Sequence, residues 1–123
     1  MGILDCLNSF SFIKRYEVLK FKYFEEGFYI KIKVDLKNNT QLYLTEYSDN
    51  IAREYSYHWQ TIDGKLIIRW DNAPHHKNTR TYPHHKHVGE NVYESFELDC
   101  YSILKKNRKI PEELKVEESN IHF

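Results

Sequence analysis

"YSYHWQTIDGKLIIRWDN", residues 55–72, is the stretch on which the fold turns. Apolar and polar side chains alternate on both sides of Asp63-Gly64, and alternation marks a half-buried strand. Asp-Gly is a strong hairpin signal, because a two-residue turn of type I′ needs positive φ at both central positions. With that turn, residues whose numbers sum to 127 face each other. Tyr57 then opposes Trp70 and Trp59 opposes Ile68, and Tyr55 and Leu66 join them on a core side. The other face sets Ser56 across from Asp71 and His58 across from Arg69. That polar group ends a strand leading into a histidine-rich segment, where function is expected.

Outward from this hairpin, turn signals at Glu26-Gly27, Asn38-Asn39 and Ser48 to Ala52 divide the preceding chain. The expected strands are Tyr16–Glu25, Phe28–Leu36, Gln41–Tyr47, Arg53–Thr61 and Lys65–Asn72. A helix is expected over Ser95–Lys106, with Ser95 as N-cap and Phe96, Cys100, Ile103 and Leu104 on one face. "ILDCLNSFSF" at the start has room for a short helix. The expected fold class is α+β: a five-stranded antiparallel meander, one face covered by the C-terminal helix.

A turn at Glu26-Gly27 places Leu19, Phe21, Tyr23, Ile30, Ile32 and Val34 on one face. On the other, Lys20 and Lys22 meet Lys33 and Lys31. Like charges in opposition cost stability, so these lysines either spread into solvent or are kept for an anion. "QLYLTEY" alternates poorly and leaves Leu42 and Leu44 on the nominally polar side.

At 123 residues the chain fits one domain, expected over residues 1–110, followed by an acidic tail over residues 111–123. Hydrophobic content of 41% with 29% charged residues is that of a folded globular protein, so disorder is excluded as the default. The net charge of zero hides an asymmetry: the tail beyond Pro111 carries four Glu and one Lys, which leaves the body mildly basic. Nothing approaches the roughly 18 apolar residues of a membrane span, and Met1 to Asn8 lacks the pattern of a signal peptide. The cytoplasm is the expected compartment. Cys6 and Cys100 form no C-x-x-C pair and are read as buried thiols.

"RWDNAPHHKNTRTYPHHKH", residues 69–87, holds five of the seven histidines, and its prolines argue against both helix and clean strand. Three readings compete. Histidines can simply stack and hydrogen-bond in a loop. They can bind metal: His85-x-His87 chelates from one strand and His75 or His84 completes a set, although adjacent pairs point apart and no spaced ligand motif supports them. Or they can perform general acid-base chemistry on RNA, whose 2′-hydroxyl is its own nucleophile and needs only a base, an acid and cations for the phosphate. The third accounts for most residues and needs no cofactor. Its candidate catalytic residues are His58, Arg69, Asp71, His75, His76, His84, His85, Lys86 and His87, with Arg69 and Lys86 as the cations. Lys20, Lys22, Lys31 and Lys33 would attract the RNA backbone, and Tyr57 or Tyr82 would stack a base.

"YSYHWQ", "DGKLIIRWDNAPHH" and "PHHKHVG", taken in series, resemble the TumE-like toxin family of prokaryotic toxin-antitoxin modules. The resemblance covers about Tyr16 to Leu104. It shares Tyr57, His58, Trp59, Arg69, Trp70, Asp71, Asn72, His75, His76, His84, His85, Lys86 and His87, and it implies a small toxin neutralised by an antitoxin encoded beside it. The expectation is a toxin, acting as a metal-independent ribonuclease. The alternatives are a non-catalytic module binding RNA or a protein, and a metal-dependent nuclease or hydrolase.

Overall fold

The computed structural model describes residues 2–108. The acidic tail after Pro111 lies outside the described residues. The elements are α1 (Ile3–Asn8), β1 (Ile13–Phe24), β2 (Gly27–Leu36), β3 (Thr40–Ser48), β4 (Arg53–Thr61), β5 (Leu66–Asp71), β6 (His85–Val88), β7 (Asn91–Glu94) and α2 (Cys100–Lys106). Strand order in the single sheet is β1-β2-β3-β4-β5-β6-β7, and every neighbouring pair is antiparallel. The fold is α+β with a meander sheet, of seven strands and not the five expected. The correction comes from the histidine segment, whose second half is strand β6 and is followed by β7.

The β4–β5 register holds where it matters. Ser56 pairs with Asp71, Tyr57 with Trp70, His58 with Arg69 and Trp59 with Ile68. The turn itself is one residue longer than expected: Thr61 N–H donates to the Lys65 carbonyl (2.8 Å), and Gly64 takes the left-handed conformation with φ 93°. Alone this would slip the register by one. An irregularity between Trp59 and Gln60 restores it, and Ile67 enters the core in place of Leu66.

At Asn38-Asn39 the same lengthening goes uncompensated. Leu36 and Thr40 flank Lys37-Asn38-Asn39, with Asn39 at φ 62°. Val34 therefore pairs with Leu42 and Ile32 with Leu44. A one-residue slip turns every side chain to the other face, so Leu42 and Leu44 are buried in the core and not on the polar side. Thr40 locks the loop: its hydroxyl donates to Asn38 Oδ1 (2.6 Å) and accepts from Trp59 Nε1 (2.9 Å).

In the first hairpin Phe24 pairs with Gly27, so the turn residues are Glu25-Glu26 rather than Glu26-Gly27. Lys20 faces Lys31, but Lys22 faces Tyr29 and Lys33 faces Glu17. Direct opposition is thus reduced to one like-charged pair, although all four lysines share the face away from Ile30, Ile32 and Val34. Gly27 is fixed by close approach: a Cβ there would lie 1.8 Å from the Ser48 carbonyl oxygen. Gly27→Ala is expected to destabilise the protein by about 1–3 kcal/mol, an overpacking cost, measured by urea unfolding.

The core lies between one sheet face and the two helices, with Leu7, Phe10, Ile103 and Leu104 packed on Ile32, Val34, Leu42, Leu44, Tyr57 and Trp59. The closing helix is shorter than its sequence pattern. Asp99, not Ser95, is the N-cap and accepts from the Ser102 N–H (2.8 Å), and Phe96 is 77% exposed. The residues before Asp99 lie outside the helix, and Arg53 Nη2 donates to the Leu98 carbonyl (3.0 Å). The helices stop short of the β1–β2 tip, where Phe21 is 56% and Tyr23 80% exposed. Cys6 and Cys100 are buried, unbridged thiols hydrogen-bonded to each other, and burial pushes both thiols up. No described helix is long and apolar enough to cross a membrane.

Candidate functional site on the open face of the sheet

Away from the helices, pairing lines up residues of successive strands into rows. One row runs Lys33, Tyr43, His58, Arg69, His87 and Val92 across β2 to β7. The next runs Lys20, Lys31, Thr45, Ser56, Asp71 and His85 from β1 to β6. Three lysines and a tyrosine at one end, with Glu17 of β1 opposite Lys33, thus lead to a histidine cluster at the other.

Asp71 is the centre of that cluster and is buried. Its Oδ1 accepts from the Ala73 N–H (3.0 Å) and lies 2.9 Å from His85 Nε2. Its Oδ2 accepts from Arg69 Nε (3.1 Å) and lies 3.6 Å from His87 Nε2. His85 Nδ1 donates to the Pro83 carbonyl (2.9 Å). The ring of His85 is held between two oxygens, the Pro83 carbonyl and Asp71 Oδ1. His76, from the preceding loop, closes the cluster, its ring edge-on to those of His85 (4.7 Å between centroids) and His87 (5.4 Å). Beside it opens a groove of ≈ 610 Å³, lined in part by Lys77, Asn78, Arg80 and Tyr93.

Burial pushes the His58 and His87 imidazoles below the ordinary histidine range. The Arg69 guanidinium adds to this at both, whereas Asp71 opposes it at His87. Neutral rings are therefore favoured at both positions near pH 7. For His58 a depressed folded-state value means stability present above about pH 6.5 and lost as pH falls through the unfolded-state value toward the folded one. His58→Gln is expected to flatten the decline in unfolding midpoint between pH 7 and pH 5. A decline as steep as that of the parent would contradict this.

The structure brings together His58, Arg69, Asp71, His76, His85 and His87. It sets other expected residues apart. His84 turns to the helix-covered side, stacks on Tyr55 and bonds the Tyr55 hydroxyl through Nδ1 (2.8 Å). Lys86 alternates away from its histidine neighbours, and His75 is exposed on the loop. Tyr82 is exposed next to a cis peptide bond to Pro83. Tyr57 is 0% exposed, with its hydroxyl bonded to Glu46 and to Arg53, so it has no ring face for a base. Tyr43 instead lies on the open face, in the row between Lys33 and His58. It was missed because the slipped β3 register hid its face, although its position beside Lys33 and His58 follows once Leu42 is put in the core. Three imidazoles, His76, His85 and His87, have ligand atoms that all lie within 4.8 Å of one another.

Of the comparisons with known proteins, one bears on this arrangement: residues 3–113 match the family described as Toxin TumE. The chain belongs to the TumE toxin family. The match begins in α1 and takes in every strand and both helices, a wider span than the motif resemblance alone, and ends two residues past Pro111. Membership makes the protein a toxin of a toxin-antitoxin module and implies an antitoxin partner. No curated protein and no solved structure matches the chain. All the histidines of this TumE chain's cluster lie within the matched residues.

Proposed function

We propose that this toxin cleaves RNA by general acid-base catalysis without need of a metal, using His58 and His87 on either side of Arg69. The observation that carries the proposal is their shared row. Strands lie about 4.8 Å apart, which separates the outer two backbones by about 10 Å. In-line attack on a phosphodiester spans about 4 Å from entering to leaving oxygen, and a hydrogen bond of about 2.8 Å at each end extends this to a similar length. A phosphate gripped by Arg69 would thus have one imidazole at its 2′-hydroxyl and another at its 5′-oxygen. The first removes a proton and the second donates one. Arg69 suits the grip because its Nε is spent on Asp71 while its Nη groups take no other hydrogen bond among the described residues. Asp71 and His85 position Arg69 and His87. The RNA backbone would follow the row past Tyr43, a stacking platform, to Lys33 and the Lys20–Lys31 pair.

The deciding experiment incubates purified, tag-free protein with labelled single-stranded RNA in excess chelator. Cleavage leaving 2′,3′-cyclic phosphate ends is expected; intact RNA that is tightly bound would replace catalysis with binding. Replacing Lys20, Lys22, Lys31 and Lys33 together by Gln is expected to weaken binding to all RNA sequences. The salt dependence should flatten by about one unit of slope per lost phosphate contact. Undiminished affinity at low salt would place the RNA elsewhere. On this reading the toxin acts in the cytoplasm, where its RNA is, and is held in check by a DNA-binding antitoxin. A neighbouring reading frame for a small DNA-binding protein would agree.

A further inference from the structure

We propose that His76, His85 and His87 form a binding site for one divalent transition-metal ion of the zinc type, and that the ion, when bound, shuts off the acid-base site. The first part stands on geometry alone; the second rests on the reading of His87 given above.

His85 and His87 are alternate residues of β6 and present their rings on one side of the strand. Their ring centroids are 4.8 Å apart. The His85 ring is fixed by Nδ1–H on the Pro83 carbonyl (2.9 Å), which turns Nε2 into the cluster against the Asp71 carboxylate (2.9 Å), a contact that an ion would take over. Such an outer hydrogen bond on the far nitrogen is the usual companion of a metal-bound imidazole. His76 comes from a loop, so it can adjust. Ligand atoms around a tetrahedral ion with bonds of about 2.1 Å stand about 3.4 Å apart. The ligand atoms here all lie within 4.8 Å of one another, so an ion would draw them together by at most about 1.4 Å. The Asp71 carboxylate, 2.9 Å from His85 Nε2 and 3.6 Å from His87 Nε2, supplies negative charge against the Arg69 guanidinium and can serve as the fourth ligand.

The donor set selects the ion. Three imidazoles suit zinc, nickel or copper, whereas magnesium and calcium require oxygen. Simple stacking of histidines would not require their nitrogens to converge, nor the anchor on Pro83. A bound ion would occupy the lone pair that His87 needs for proton transfer.

The test titrates tag-free, full-length protein with Zn²⁺ against a chromophoric chelator and records the Co²⁺ absorption of the same protein. One ion per chain with a tetrahedral Co²⁺ spectrum is expected. His76→Ala and His87→Ala should each weaken binding by more than the roughly 10- to 100-fold lost with an outer partner. His75→Ala and His84→Ala should leave it unchanged, and Mg²⁺ should not compete. Folding of each variant is checked by circular dichroism, and the deeply buried His85 is left intact. Absence of stoichiometric binding to the folded parent, or undiminished binding in the His76→Ala, His87→Ala double variant, would overturn the site. Cleavage that persists in chelator and stops with one equivalent of Zn²⁺ supports both parts. Cleavage that requires Zn²⁺ keeps the site and overturns the shut-off. Zn²⁺ bound to a protein that never cleaves RNA also keeps the site and overturns the shut-off.

Discussion

His58→Ala and His87→Ala are each expected to slow RNA cleavage by about 100-fold or more, while His75→Ala and His84→Ala leave the rate near that of the parent. The contrast comes from position, since all four belong to the same histidine-rich constellation. His58 and His87 flank Arg69 in one row. His75 is exposed, and His84 is committed to Tyr55 on the opposite face. His84→Ala should instead lower thermal stability, because it leaves the buried Tyr55 hydroxyl without that partner. The double variant His58→Ala, His87→Ala should lose less than the product of the single losses, as groups acting in one step do. Arg69→Lys should also slow cleavage, because an ammonium cannot reproduce the two-pronged contact of guanidinium with phosphate oxygens. Growth arrest on induction should disappear in the variants that lose cleavage. Arrest persisting in His58→Ala, His87→Ala and Arg69→Lys alike would end the catalytic proposal.

The largest effect on stability is expected at Trp59. It is 1% exposed, stacks on Trp70 at 6.4 Å and donates its indole N–H to Thr40. Trp59→Ala should cost about 3–5 kcal/mol, a large part of the 5–15 kcal/mol typical of a whole domain. Two losses combine: a cavity between sheet and helices, and a released Thr40, which fixes the β2–β3 loop and so the register of β3. Trp59→Phe keeps most of the volume and loses the hydrogen bond, so it should fall between parent and alanine variant. A loss below 1 kcal/mol in urea unfolding of Trp59→Ala would mean that this residue does not hold the sheet to the helices.

Legibility in the sequence followed locality. The β4–β5 pairing was readable because Asp63-Gly64 fixes a hairpin within a few residues, and its pairs Tyr57–Trp70 and His58–Arg69 are those found. The added turn residue was hidden, yet harmless, because a bulge compensates for it. At Asn38-Asn39 the same small change had no compensation, and it moved Leu42 and Leu44 into the core. Ser95 looked like a helix cap, but Asp99 carries the cap through the Ser102 N–H, while the carbonyl before it is taken by Arg53. The histidine cluster was readable as composition and not as geometry. Which rings converge depends on the β5–β6 register and on the path of the loop through His76, and neither leaves a periodic signal.

The unbroken order of the sheet has a consequence for how this molecule comes into being. When each strand docks on the one made just before it, contacts are local, and topologies of low contact order fold quickly. The cost of closing a loop rises with its length, and the connection through residues 72–84 exceeds each of the others between strands. Pairing of β1 to β5 therefore draws only on residues up to Asp71, whereas the histidine cluster needs His85 and His87 beyond that connection. A chain synthesised from its N-terminus thus holds the whole of β1 to β5 before it holds His85, His87 or the α2 residues Ile103 and Leu104 that complete the core.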